Sequence, residues 1–127
     1  MNEKAKPLIV AGAILAFLGV LFGAFGAHAL KTRIDVDLLA VYQTGVQYHL
    51  VHAIGVILVG ILAQALPSSK WLPIAGWAMV GGVLAFSGSL YVLSLTGIRA
   101  LGAITPLGGV ALMAAWMLLA VGVAMKK

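Results

Sequence analysis

The sequence predicts an all-α membrane protein: four transmembrane helices in a bundle, with a short interfacial helix between helices 1 and 2. Three observations carry this. Long apolar stretches recur at residues 8–30, 46–66, 71–95 and 104–125, and a helix needs roughly 20 such residues to cross hydrocarbon about 30 Å thick. Of 127 residues, 63% are hydrophobic and 9% charged, whereas a soluble domain carries about 25% charged residues. So few charges cannot clothe a water-facing surface, and lipid must be the main solvent. Finally, the spans do not alternate apolar and polar residues as barrel strands do. In lipid each backbone group must be satisfied within its own segment, which leaves helices.

One membrane domain over residues 1–127 is expected, because the connections are short and no low-complexity linker divides the chain. Lys4, Lys6 and Ala27-His28-Ala29 imitate a secretory leader with its cleavage site. The apolar run between them is longer than the usual signal core of about 7–15 residues, so it reads as helix 1. No cysteine is present, which excludes disulfide and thiolate chemistry. The net charge of +5 arises from terminal and loop residues. No basic face with stacking aromatics exists for nucleic acid; membrane lipids are the expected surroundings.

Four spans put both termini on one side with Lys4, Lys6, Lys70, Lys126 and Lys127, against Lys31, Arg33 and Arg99 opposite. The positive-inside rule then predicts cytoplasmic termini in the plasma (cell inner) membrane. In the connection 31–45, Asp35 or Asp37 suits an N-cap. Leu38, Val41, Tyr42 and Gly45 follow at helical spacing, which predicts the interfacial helix running into helix 2. Pro67-Ser68-Ser69-Lys70 is a turn with proline as breaker. Thr96 to Thr105 is a small-residue loop, and Pro106 suits the first turn of helix 4. Gly19-Val20-Leu21 and Gly82-Val83-Leu84 echo one another. Either a helical hairpin was duplicated or two apolar helices coincide, and coincidence is the simpler account.

Polarity within the spans is lopsided. His28, His49, His52, Ser87, Ser89, Tyr91, Ser94 and Thr105 all fall at the end opposite the termini; Gln64 is the main polar residue at the other. His49 and His52, at i and i+3, share one side of helix 2, and Tyr48 and His52 stand at i and i+4. His28 ends helix 1 at a similar depth. Ionisable groups in spans are expensive and therefore functional candidates. Three readings stand: interhelical hydrogen bonding, a polar ligand or proton site, and metal or haem ligation. The last is weakest, since bare histidine pairs lack the usual carboxylate or cysteine partners, and neither metal nor cofactor is expected.

Ser87, Tyr91 and Ser94 share a helical face. Their hydroxyls can bond back to carbonyls of their own helix, or line a pocket with His52 and Arg99. Ser87 is no catalytic nucleophile, because no elbow motif surrounds it and no carboxylate in a span orients a base. Arg99 either snorkels to lipid phosphate or captures an anionic group. The candidate polar pocket comprises His28, Tyr48, His49, His52, Ser87, Ser89, Tyr91, Arg99 and Thr105. Small residues offer close backbone approach, the main device for packing helices in lipid. Gly12, Ala16, Gly19, Gly23 and Gly26 supply it on helix 1, and Gly55, Gly82, Gly88, Gly108 and Gly109 elsewhere. They serve packing within the bundle or association between copies.

Gly23-Ala24-Phe25-Gly26-Ala27-His28, Tyr42-Gln43-Thr44-Gly45, Tyr48 with His52, Phe86-Ser87-Gly88-Ser89-Leu90-Tyr91 and Thr105-Pro106-Leu107-Gly108-Gly109 occur in this order. In these stretches the chain resembles the small membrane proteins of domain of unknown function 423, related to the transmembrane protein 256 family. The resemblance covers almost the whole chain, with His49 peripheral to it. It implies a four-helix plasma-membrane protein and supplies no activity. The expected function is that of a non-enzymatic structural or accessory membrane component, packing with itself or within a larger complex. The alternative is binding or transport of a small polar or amphiphilic molecule at the one-sided pocket. A through-pore should be polar along its length, and one half of these spans is almost wholly apolar.

Overall fold

The computed structural model describes residues 1–126; Lys127, counted above among the terminal basic residues, lies outside the described residues. Four long helices follow one another: α1 (Ala5–Phe25), α2 (Val36–Ala65), α3 (Trp71–Thr96) and α4 (Thr105–Ala124). All are long and apolar enough to cross a membrane, and no strand occurs among the described residues. A π-helical turn, Gly26–Leu30, prolongs α1, and a 3₁₀ turn, Arg99–Ala103, precedes α4.

The ends follow local chemistry. Asn2 Oδ1 accepts from the Lys4 and Ala5 amides and caps α1, while the Asn2 amide donates to Gln64 Oε1 at 2.8 Å. This gives the polar residue of the terminal end a partner. α2 stops ahead of Pro67, which supplies no amide to continue it. α3 stops at Gly97, whose φ of 74° ends the helix in the left-handed region that glycine accepts most readily. Pro106 sits in the first turn of α4, where its missing amide has no helical partner to lose.

The short interfacial helix expected within residues 31–45, running into helix 2, does not stand as an element of its own. Residues 36–45 are instead the opening turns of one continuous α2. Asp35 takes the N-cap position in extended conformation. From there to Val46 nothing breaks the helix: there is no proline, and Gly45 is held against Tyr91 and Leu90 of α3.

Helices α2 and α3 form the central pair. α1 packs mainly on α2 and α4 mainly on α3, so the outer helices flank the pair on opposite sides. Burial follows this order, at 44% and 39% of the most apolar window in α2 and α3, against 22% in each outer helix. Small residues seven apart set both outer contacts. On α1, Gly12 receives Ile57, Gly19 receives Leu50 and Gly26 receives the Tyr42 ring; on α4, Gly108 receives Phe86 and Gly122 receives Leu72, with Ala115 wholly buried between them. A repeat of seven keeps a seam facing one partner along the helix. Leu8, Val56, Val59, Leu72 and Met79 fill the centre toward the terminal end.

Gly19 seats Leu50 of the next helix, and Gly82 likewise seats Leu112. The two echoing segments thus play the same packing role in their own hairpins. Gly55 accepts Met79 and Trp116, and Gly23 lies close to Val46. Ala16 packs against the core. Gly109 makes only ordinary contact with Phe86, and nothing lies within 4 Å of the side-chain position at Gly88.

Candidate functional site

At the polar end most span side chains tie one helix to another. His49, on the α1-facing side of α2, places Nε2 at 2.7 Å from the Leu15 carbonyl of α1. A carbonyl only accepts, so Nε2 carries the proton and donates. Nδ1 is then the acceptor for the Tyr91 hydroxyl of α3, at 2.8 Å. One neutral imidazole joins three helices. Gly19, one turn beyond Leu15, has no side chain to cover that carbonyl, and His49 Cδ2 would lie 3.4 Å from a Cβ there.

The same device recurs seven residues on. Tyr42 donates to the Phe22 carbonyl at 2.6 Å, with its ring over Gly26. Phe22 and Tyr91 meet edge to face at 5.2 Å, and Tyr42 and Tyr91 lie at the same centroid distance. This aromatic cluster screens the His49 bonds from the polar end.

His52 faces the other way. Its Nδ1 donates to the Tyr48 carbonyl one turn back at 2.7 Å, which leaves Nε2 to accept the Trp116 indole N–H of α4 at 3.0 Å. His49 and His52 therefore hold opposite neutral tautomers, fixed by the partner of each second nitrogen. Residues three apart on a helix point about 60° apart. That divergence sends one imidazole to α1 and α3 and the other to α4.

Serines complete the ties. Ser87 donates to the Gly45 carbonyl of α2 at 2.7 Å. Ser89 donates back to Phe86, so the Thr105 hydroxyl of α4 donates to Ser89, at 2.6 Å. Ser94 bonds back to Tyr91 within α3. Among the described residues, Trp71 Nε1, at the terminal end, is the only buried side-chain nitrogen or oxygen without a hydrogen-bond partner.

Beyond the spans, Arg99 reaches Asp37 at 2.8 Å and links the loop before α4 to the start of α2. The hydrogen bond from Arg99 holds the exposed Asp37 carboxyl below the usual carboxylate range. His28 is exposed on the π-turn. The structure thus distributes the polar candidates over three places. His49, Ser87 and Tyr91 meet between α1, α2 and α3. Tyr48 and His52 border a groove toward α4. Arg99 pairs outside the spans, and Ser89 and Thr105 clasp α3 to α4. His28, His52, Ser87, Tyr91 and Arg99 do not converge on one cavity. Among the described residues no three His, Asp or Glu side chains are grouped to hold a metal ion.

Trp116 and the Leu15 and Phe22 carbonyls were not singled out from the sequence, and Tyr42, although part of a family stretch, was not placed among the pocket candidates. The available signal was the spacing of Gly12, Gly19 and Gly26, which marks the α1 face that a partner helix approaches closely.

Residues 22–109, from the Phe22 of this cluster to Gly109 near the start of α4, match the family described as Protein of unknown function (DUF423). The chain belongs to this family. Among DUF423-type relatives, it is 51% identical over 116 residues to the UPF0382 membrane protein YwdK of Bacillus subtilis, covering 91% of this chain and 94% of that one. It is 39% identical to a UPF0382 membrane protein of Staphylococcus saprophyticus, covering 92% and 96% of the two chains. The UPF0382 inner membrane protein YgdD of Escherichia coli is 33% identical, with 93% and 89% covered. No solved structure matches the chain. With four apolar helices and membrane-protein relatives throughout this range, this DUF423 chain is an integral membrane protein.

Proposed function

We propose that this DUF423 protein is a non-enzymatic structural or accessory membrane component, whose polar end is a fastening for its own helices. The observation that carries this is the commitment of the polar groups. His49, His52, Tyr42, Tyr91, Ser87, Ser89, Thr105 and Trp116 each spend their hydrogen bonds on another part of the chain. An imidazole whose two nitrogens are both engaged is not free to act as a base. Among the described residues neither imidazole is hydrogen-bonded to a carboxylate, and Ser87 gives its proton to a carbonyl rather than to a histidine. Much of the outer surface is large apolar side chains, such as Phe17, Val20, Leu84 and Met117, which suits packing against lipid and other helices.

The assembly reading draws on α3. Gly81 and Gly88, seven apart on its outer side, have nothing within 4 Å of their side-chain positions. Such small positions allow another helix to approach. Native mass spectrometry of protein released gently from its membrane tests this. A discrete multimer or added protein mass is expected, reduced by Gly81→Leu with Gly88→Leu. A bare monomer throughout would contradict the assembly reading. The excess of lysines supports termini in the cytoplasm, with the polar end facing outward across the plasma membrane. Because the chain has no cysteine, single cysteines at Asn2 and Arg33 report this by impermeant labelling. Only Arg33→Cys should react in intact cells.

A further inference from the structure

The turn between α2 and α3 meets the end of α4 around a cavity of about 160 Å³, at the terminal end of the bundle. Ser68, Ser69, Lys70 and Trp71 line it from the turn and the start of α3, and Gly122, Met125 and Lys126 from α4. None of these residues belongs to the polar fastening, which lies at the opposite end. Gly122 brings the two helices together here, since a Cβ on it would stand 3.2 Å from Cβ of Trp71.

We propose that this cavity binds an anionic phosphate group, carried by a phospholipid headgroup or by a soluble phosphate ester. A count of donors and acceptors selects the ligand. Lys126 Nζ donates to Ser68 Oγ at 2.8 Å, and the Leu72 amide donates to Ser69 Oγ at 3.4 Å. Each hydroxyl oxygen is thus used as an acceptor, while among the described residues neither hydroxyl proton has an acceptor of its own. Ser69 is only 2% exposed, so its proton is not simply left to bulk water. Trp71 borders the same cavity, and its buried Nε1 has no acceptor among the described residues. The lining side chains therefore hold unspent donors and no carboxylate. A phosphate is their complement, because its charged oxygens only accept.

Charge agrees with this count. Lys70 Nζ lies 5.0 Å from the centroid of the Trp71 ring, a contact that holds the ammonium beside the indole without consuming an N–H donor. Lys126 spends one of its three donors on Ser68. Among the described residues neither ammonium meets a carboxylate; the ion pair of Arg99 with Asp37 lies at the other end. The start of α3 and the end of α4 stand side by side, so their opposite dipole ends offset one another and the two ammonium groups set the sign of the site. Depth agrees as well. α3 begins at Trp71 and α4 ends at Ala124, so the lining residues close off the apolar spans at the level where lipid headgroups meet water and tryptophan is enriched. The cavity is smaller than the roughly 300–1,000 Å³ of a drug-sized site and suits one phosphate group rather than a whole metabolite.

Two probes test the site and separate its sources. The full chain in dodecyl maltoside is titrated with phosphatidylglycerol and followed by native mass spectrometry, with phosphatidylcholine, whose phosphate charge is offset by choline, as the comparison. Melting with and without inorganic phosphate tests a soluble source. Lys70→Gln with Lys126→Gln removes two charges that no carboxylate pairs, and so leaves the fold intact. Lys4→Gln with Lys6→Gln removes the same charge from the same end, outside the cavity. If the source is a headgroup, phosphatidylglycerol is retained more tightly than phosphatidylcholine. The cavity pair of substitutions then weakens it about 10-fold or more, the worth of a charge-assisted hydrogen bond, and the Lys4 and Lys6 pair changes it little. If the source is soluble, inorganic phosphate itself raises the melting temperature by binding the folded state, and the cavity pair abolishes the rise. Either result supports the site and names what fills it. Equal weakening by both lysine pairs, the mark of diffuse attraction to a charged face, would overturn the proposal. So would indifference of both probes to the cavity pair.

Discussion

His49 donates its Nε2–H to the carbonyl oxygen of Leu15 at 2.7 Å, across the seam between α1 and α2. The bond exists because Gly19 leaves that carbonyl uncovered. Sequence, packing and polarity meet in this contact: the glycine admits α2, α2 delivers the imidazole, and the imidazole passes its second bond to Tyr91 of α3. Losing either partner strands a polar group in an apolar layer, so the bond couples helix position to side-chain chemistry.

The coupling between His49 and Tyr91 should be measurable as a double-mutant cycle. His49→Ala and Tyr91→Phe are each expected to destabilise the protein in lipid or mild detergent. Their interaction energy should be about 0.6 kcal/mol, the average for hydrogen bonds between membrane helices, and at most about 1.7 kcal/mol. Unfolding of the two single variants and the double variant in the same detergent checks this. Strict additivity would mean that the bond contributes nothing.

Glycine positions should separate by what surrounds them. At Gly108 a Cβ would meet the Phe86 backbone, with Cα at 2.8 Å, whereas Gly81 faces open space. Backbone cannot step aside as a flexible side chain can. Gly108→Ala is therefore expected to cost about 1–3 kcal/mol by overpacking. Gly81→Ala should be neutral or stabilising by up to about 1 kcal/mol, through helix propensity. Thermal unfolding in one detergent ranks the two.

Trp116→Phe removes the donor to His52 Nε2 and leaves an acceptor unpaired among apolar side chains. The expected loss is about 1–3 kcal/mol, with the α2–α4 contact loosened first. Amide exchange localised to α4 would show this.

The ion pair outside the spans should behave differently. Asp37 has its carboxyl pKa held below the ordinary 3.8 by Arg99. Its stabilisation is therefore present above that pH and is lost as pH falls through the lower folded value. Both side chains are largely exposed, 68% for Arg99 and 64% for Asp37, so the effect is small and salt-screened. Arg99→Gln should abolish that acid-range pH dependence and leave neutral-pH unfolding nearly unchanged. Melting curves at low and high salt across the acid range test it.

The spans were readable because burial in lipid demands long apolar helices, a constraint that hydropathy records directly. The start of α2 was not. Residues 35–45 mix Asp35, Asp37, Gln43 and Thr44 with apolar neighbours, and only the absence of a breaker shows that the helix runs on. The spacing of His49 and His52 suggested one shared face of α2, but the roughly 60° between them is enough to send the two rings to different helices. Their separate destinations depend on α1 and α4 flanking the central pair, which no local pattern states. The pairing of Arg99 with Asp37 is likewise tertiary, joining the turn before α4 to the start of α2, 62 positions apart. The seven-residue period of Gly12, Gly19 and Gly26 was present but submerged, because α1 carries small residues on several faces.

The central claim is that both buried histidines are committed to holding helices together. Solid-state nuclear magnetic resonance of protein carrying ¹⁵N-histidine in lipid tests it most directly, with His28→Gln removing the exposed imidazole from the spectrum. The account predicts two rings of opposite tautomer, His49 protonated at Nε2 and His52 at Nδ1. Two rings of the same tautomer would contradict it.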